Sequence, residues 1–167
     1  GTCVGRPVAP NDVRIIEISD EPIADWWQAT LVPDGVVGEI TVAGPSATDA
    51  YFNRDAQTTL AKIREGERIV HRMGDLGWFD GDGRLWFCGR KSQRVVVDAQ
   101  TTLCTEQVEP VFNAHPDVRR TALVGVGAFG EQQPVLCVEL REGVAAMEWA
   151  RIELKLRHMG EGFVHTA

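Results

Sequence analysis

The sequence predicts a mixed α/β and α+β chain in two parts, an antiparallel, partial-barrel run of strands followed by a small α+β unit. Three observations carry this. Residues 1–90 are filled by short β-branched runs punctuated by Gly, Pro and Asp-Gly turns, the pattern of a meander or part of a barrel. A short polar and basic stretch, Lys91-Ser92-Gln93-Arg94, then interrupts the apolar pattern. Beyond it the chain reads strand, helix, strand, strand, helix, a small unit with its own core.

Taken in order, Gly1 to Pro10 is turn-rich, and Val13-Arg14-Ile15-Ile16-Glu17-Ile18 has the composition of a strand. Trp26 to Val32 reads as a second strand, where the tryptophans pack, and Val37 to Val42 as a third, clearly alternating one. Arg54 to Ile63 carries apolar residues at Ala56, Leu60 and Ile63 with Asn53 before it, the pattern of a short helix with its N-cap. Ile69-Val70 leads into His71 to Arg94, where two apolar runs, the second ending in Gly89-Arg90, flank Asp80-Gly81-Asp82-Gly83, a hairpin signal. After the polar stretch, Val95-Val96-Val97 reads as a strand. A helix follows with Thr105 as N-cap and acidic residues in its first turn, tolerating Pro110 and stopped by His115-Pro116. Thr121 to Val126 and Pro134 to Leu140 read as strands. Met147 to Arg157, with apolar residues at Met147, Ala150, Leu154 and Leu156 mixed with charge, reads as an amphipathic helix, and the tail Gly160 to Ala167 lacks periodicity.

Composition narrows the function classes. The 167 residues are 44% hydrophobic and 25% charged, with a net charge of -7, so the chain folds as a globular protein and offers no basic surface to nucleic acid or anionic lipid. No apolar run reaches the length of a membrane span and no signal peptide opens the chain. The four cysteines, Cys3, Cys88, Cys104 and Cys137, are widely spaced and read as buried, reduced thiols of a cytoplasmic protein. His71, His115, His158 and His165 lack the spacing of metal ligands, so no metal site is expected. The opening Gly1-Thr2-Cys3-Val4, without Met, reads as a piece of a longer protein.

The segment His71 to Arg94 concentrates the chemistry. Its hairpin brings a carboxylate in Met73-Gly74-Asp75-Leu76-Gly77 near a guanidinium in Gly89-Arg90. In isolation an Asp beside a Gly is ordinarily a turn or cap residue, and a lone Arg an exposed ion-pair partner.

In order and spacing, the landmarks resemble the adenylate-forming superfamily of acyl-CoA synthetases, luciferases and peptide-synthetase adenylation domains. Gly38-Glu39-Ile40 with Gly44-Pro45, then Tyr51 with Thr58, is similar to the superfamily's Gly-Glu-Leu/Ile, Gly-Pro, Gly-Tyr and Pro-Glu-x-Thr segments. Gly74-Asp75-Leu76 resembles its Thr-Gly-Asp-Leu motif, and Asp82-Gly83-Arg84-Leu85 through Gly89-Arg90 its Asp-Gly-Tyr-Leu and Gly-Arg motif. The nearest branch is the long-chain fatty-acid ligases, particularly those of bacterial olefin biosynthesis, similar in Phe87-Cys88-Gly89-Arg90-Lys91-Ser92 and in Thr105-Glu106-Gln107 with Glu109-Pro110-Val111-Phe112.

The resemblance implies that residues 1–90 end a large adenylation domain, 91–93 form a hinge, and 94–167 belong to a small, incomplete C-terminal domain. It implies nucleotide binding by Asp75 at the ribose hydroxyls, Arg90 at ribose or phosphate, and Phe87 as an apolar neighbour, with Ser92 as the hinge residue. ATP with Mg²⁺ would convert a long-chain fatty or 3-hydroxy fatty acid into an acyl-adenylate, and CoA would usually take the acyl group. A rival within the branch lets the substrate's own β-hydroxyl displace AMP and close a β-lactone without CoA, and a non-catalytic binding module of the same fold is the third reading. The departures are Met73 for Thr, Ala50 for Gly, Asp55-Ala56 for Pro-Glu, Ser92 where Asp or Lys is common, and Ala99-Gln100 where the following loop carries Gly. The last of these weighs against CoA. The superfamily's phosphate loop, its adenine-binding segment and its catalytic lysine find no counterpart, and Lys155 lacks the lysine's context, so the fragment alone is expected to be inactive.

Overall fold

The computed structural model describes residues 1–161. Their contacts divide between Ser92 and Gln93 into two compact units, each with its own core.

The first unit begins with β1 (Thr2–Gly5) and β2 (Asp12–Ile16), followed by a single 3₁₀ turn at Trp26–Gln28 and β3 (Gly38–Ala43). Helix α1 (Asp55–Ala61) leads directly into β4 (Lys62–Glu65), β5 (Arg68–Phe79) and β6 (Leu85–Arg90). All six strands pair antiparallel in one sheet, in the order β1-β6-β5-β3-β2, with β4 also on β5. The long β5 is its spine. One edge takes β3, and the other takes β4 along residues 68–71 and β6 along residues 75–79. Ile16, Ala43, Ile63 and Val70 form the core, with Ile23 and Trp26 packed against it.

Several expectations change here. Trp26 to Val32 is a turn rather than a strand, because the Gln28 side chain folds back to accept the N–H groups of Ala24 and Asp25 (3.1 and 3.0 Å). Only Leu31 keeps a bridge, to Ile16. Trp26 lies under the Arg14 guanidinium, 3.6 Å from its centroid, and Trp27 is exposed. The predicted helix stops before Lys62, and Ile63 is a fully buried strand residue instead. Arg54, not Asn53, is its N-cap. The turn-rich start contains a strand after all, since pairing of β1 with β6 supplies long-range hydrogen bonds that local propensity does not foresee.

The second unit opens with β7 (Val95–Val96) and β8 (Thr102–Leu103), a minimal hairpin, then α2 (Thr105–Asn113). Strands β9 (Val118–Val126) and β10 (Gln133–Leu140) form a two-stranded antiparallel sheet, and a 3₁₀ turn at Ala146–Glu148 leads into α3 (Trp149–Glu161). Val95, Val108, Phe112, Val118, Leu123, Ile152 and Leu156 make the core. Cys104 rather than Thr105 occupies the N-cap of α2. On α3 the buried face is Ile152, Leu156 and Gly160, an i, i+4, i+8 row, whereas Met147 and Leu154 are exposed. Gly160 and Glu161 thus extend the helix into the tail expected to be aperiodic, while residues 162–167, with His165, lie outside the described residues. The four cysteines form no disulfide, and only Cys88 and Cys104 are buried; Cys3 and Cys137 lie on outward-facing strand positions and are exposed.

Candidate functional site

The hairpin β5–β6 builds the edge on which the sequence-predicted residues meet. Its turn is tied by Asp80, whose carboxylate accepts the N–H groups of Asp82 and Arg84 (3.0 and 2.9 Å) and the Trp86 indole N–H (2.9 Å), and pairs with the Arg84 guanidinium. These donors hold the Asp80 carboxyl well below the usual carboxylate range, the Trp86 bond contributing most. Above the turn Trp78 and Trp86 stack across the strands, 5.5 Å between centroids, which sets the register.

That register places Asp75 directly opposite Arg90. The pairing then slips between Leu76 and Gly77, so that Gly89 faces Leu76 while Phe87 faces Gly77. A spacing of three would put Phe87 and Arg90 on opposite faces of a regular strand. The extra residue removes that mismatch, and Phe87 and Arg90 share the face of Asp75. Two glycines permit the geometry. Gly74 has φ +69°, and a Cβ on Gly77 would stand 2.6 Å from the Trp86 carbonyl oxygen.

Arg90 Nη1 lies 3.0 Å from Asp75 Oδ1; the Asp75 side chain is 17% exposed and that of Arg90 61%. The approach is out of hydrogen-bond alignment, and Oδ1 accepts no hydrogen bond although it is buried. Burial pushes the Asp75 carboxyl up, and the charge of Arg90 only partly opposes this. The site therefore holds a largely desolvated carboxylate with acceptor capacity unused, beside an exposed, planar cation and an aromatic ring. Hydroxyl donors would satisfy the first and oxygen anions the second.

Next to this edge is a group of residues that sequence reasoning missed. Glu39, fully buried on β3, accepts from Arg72 Nη2 at 2.7 Å and Lys91 Nζ at 3.1 Å. Arg72 also donates to the carbonyls of Ser19, Glu21 and Leu60. Glu39, Arg72 and Lys91 floor a cavity of about 650 Å³ walled by Tyr51, Phe52, Leu60 and Met73. No local spacing joins positions 39, 72 and 91, although a Glu and an Arg within strand-like runs are visible in the sequence. Ser92 lies exposed within a 3₁₀ turn, Lys91–Gln93.

The loop after this turn explains how the chain manages without glycine at Ala99-Gln100. Asp98 Oδ1 accepts the N–H groups of Gln100 and Thr101 (2.8 and 2.7 Å), an Asx turn that reverses the chain between β7 and β8. The same bonds hold the Asp98 carboxyl below its usual value. Among the described residues no group of His, Cys, Asp and Glu could hold a metal ion, and no helix is long and apolar enough to cross a membrane. Lys155 is exposed on α3.

No protein-family model matches the chain. Over its full length it is 62% identical, across 172 aligned residues, to an olefin beta-lactone synthetase of Xanthomonas campestris pv. campestris, covering 31% of that protein. It is 36% identical over 94 residues, 56% of the chain and 18% of the relative, to the indoleacetate–CoA ligase of Aromatoleum aromaticum. The amide bond synthetase of Marinactinospora thermotolerans superposes on 98% of the chain with a TM-score of 0.75 and 28% identity, the chain covering 30% of it. The chain thus spans about a third or less of these relatives. Whole-length identity at this level, a shared fold, and Gly-Asp-Leu and Gly-Arg motifs meeting across one ladder make it a member of the adenylate-forming superfamily.

Proposed function

We propose that the protein to which this chain belongs activates a carboxylic acid by transferring AMP from ATP, and that this chain supplies the edge that holds the ribose. The observation that carries the reading is the pairing of Asp75 with Arg90 while a buried Asp75 oxygen stays without a hydrogen bond. The ribose hydroxyls would donate to Asp75, Arg90 would meet ribose or phosphate oxygens, and Phe87 would give the nucleotide an apolar neighbour on the same face. Ser92 would be the pivot between half-reactions, with the large domain ending at residue 90 and the small one beginning at 94. Mg²⁺ would arrive with ATP, whose phosphates it neutralises. Two exposed free cysteines suit a cytoplasmic setting, where thiols stay reduced.

For the second half-reaction, the reading best supported is closure of a β-lactone. The activated acid is then a long-chain 3-hydroxy fatty acid whose own hydroxyl oxygen attacks the acyl carbonyl. The carbonyl–phosphate bond breaks, AMP leaves, and the hydroxyl proton passes to solvent. Two observations favour it: the whole-length 62% identity to an olefin beta-lactone synthetase, and a post-pivot loop built on Asp98 in place of glycine. Transfer to CoA, with a fatty acid as substrate, is the second reading, favoured by the 36% identity to a CoA ligase.

The test incubates the full-length protein with ATP, Mg²⁺ and a 3-hydroxy fatty acid, with and without CoA, and identifies the product by mass. A dehydrated, cyclic product formed without CoA is expected, whereas a thioester formed only with CoA would favour the second reading. Undiminished ATP–pyrophosphate exchange in Asp75→Ala would remove Asp75 from the site.

A further inference from the structure

The lysine that ends the first unit is held in an unusual way. Lys91 immediately follows β6 and immediately precedes Ser92, the last residue whose contacts belong to the first unit. A lysine in a polar connecting segment ordinarily keeps its ammonium in water, because desolvating it costs several kcal/mol unless partners replace the lost hydration. Lys91 instead turns inward. Its Nζ stands 2.7 Å from the Ser19 carbonyl oxygen and 3.1 and 3.0 Å from the two carboxylate oxygens of Glu39, which is itself fully buried. Glu39 is fastened in turn by Arg72, and Arg72 by three backbone carbonyls from two separate segments. The side chain before the connection is thus bolted to β3 and to the loop at Ser19, and through Glu39 and Arg72 to the spine β5. Ser92, one residue later, is exposed.

A hinge concentrates its backbone change in a few residues only if the chain on one side is immobile. We propose that Lys91 is a positioning residue for the pivot. Its ammonium, clamped on Glu39 and on the Ser19 carbonyl, holds the end of β6 against the sheet, so that rotation between the half-reactions is confined to Ser92 and Gln93. The inference rests on the adenylating, rotating reading given above.

The experiment uses the full-length protein with Lys91→Met, Lys91→Arg and Ser92→Pro. Hydrogen exchange is followed at Arg90 to Gln93, together with ATP–pyrophosphate exchange and acid-dependent AMP release. Lys91→Met is expected to lose about tenfold of amide protection at Arg90 to Ser92 while residues 39–41 and 70–72 keep theirs. Its AMP release should fall about tenfold relative to pyrophosphate exchange, because a loosened pivot misplaces the second half-reaction more than the first. Lys91→Arg, which keeps a cation within reach of Glu39, should restore both within about twofold. Wild-type protection and an unchanged ratio in Lys91→Met would overturn the proposal. Should Lys91→Met fail to fold, Lys91→Gln is measured in the same two ways, and the same losses are expected of it. Ser92→Pro separates the two levels. If it stops AMP release while Lys91→Met behaves as wild type, the clamp is refuted and the pivot stands; if Ser92→Pro has no effect, the pivot fails and the clamp's role with it.

Discussion

Asp75 and Arg90 face each other across the β5–β6 ladder at 3.0 Å, yet the carboxylate oxygen nearest the guanidinium accepts no hydrogen bond. The buried carboxylate keeps acceptor capacity to spare, which suits a ligand that brings its own donors.

Asp75→Asn therefore separates stability from activity. Burial raises the folded-state pKa of Asp75 above its ordinary 3.8, so its favourable contribution to stability is present below the unfolded value and is lost as the pH rises through the folded one. At pH 7 the neutral amide should leave the thermal midpoint of the full-length protein unchanged or higher. ATP–pyrophosphate exchange should fall about ten- to a hundredfold, the worth of a hydrogen bond to a charged group. A clear drop in the midpoint would show the pair to be structural.

Asp80 behaves in the opposite sense. Its depressed carboxyl contributes stability that is complete above the unfolded value near 3.8 and lost as the pH falls through the folded one. Asp80→Asn should lower the thermal midpoint by roughly 2–4 °C at pH 7. Urea titrations at descending pH should show the gap between variant and wild type narrowing only below about pH 4. A gap independent of pH would implicate packing of Trp86 instead.

Glu39→Gln tests the buried cluster. The amide removes the carboxylate charge that Arg72 and Lys91 share at a fully buried position. Denaturant unfolding of the full-length protein should report a loss of about 3–5 kcal/mol, and a loss below about 1 kcal/mol would mean that water already reaches the site.

Ile152→Ala probes the second unit. Ile152 is wholly buried between α3 and its core partners, so truncation should cost about 2–5 kcal/mol. Hydrogen exchange should register the loss in β9, β10 and α2 but leave residues 1–92 unaffected, since the two units have separate cores. Equal loosening of β3 and β5 would contradict their independence.

Where a residue's neighbours lie close in the chain, the sequence is a sufficient guide. The Asp-Gly turn favours the β5–β6 hairpin, and a hairpin brings Asp75 into the neighbourhood of Gly89 and Arg90. Alternation along β3 follows from the same short-range logic. The strand expected at Trp26 to Val32 does not form because a single side chain, Gln28, captures two backbone donors. Ile63 leaves its expected helix because pairing of β4 with β5 outweighs the helical pattern of a short segment. Met147 and Leu154 have the look of an inner face, but helix start and phase set Ile152, Leu156 and Gly160 inward.

The residues proposed to meet a nucleotide are thus written into one contiguous stretch, since turn chemistry and strand period act over a few positions. Long-range packing alone decides the rest. The slipped register between Leu76 and Gly77 sets Arg90, rather than Gly89, opposite Asp75. The meeting of Glu39, Arg72 and Lys91 depends on three segments converging where the Glu39 and Arg72 side chains are almost wholly buried, so that the charges must find one another.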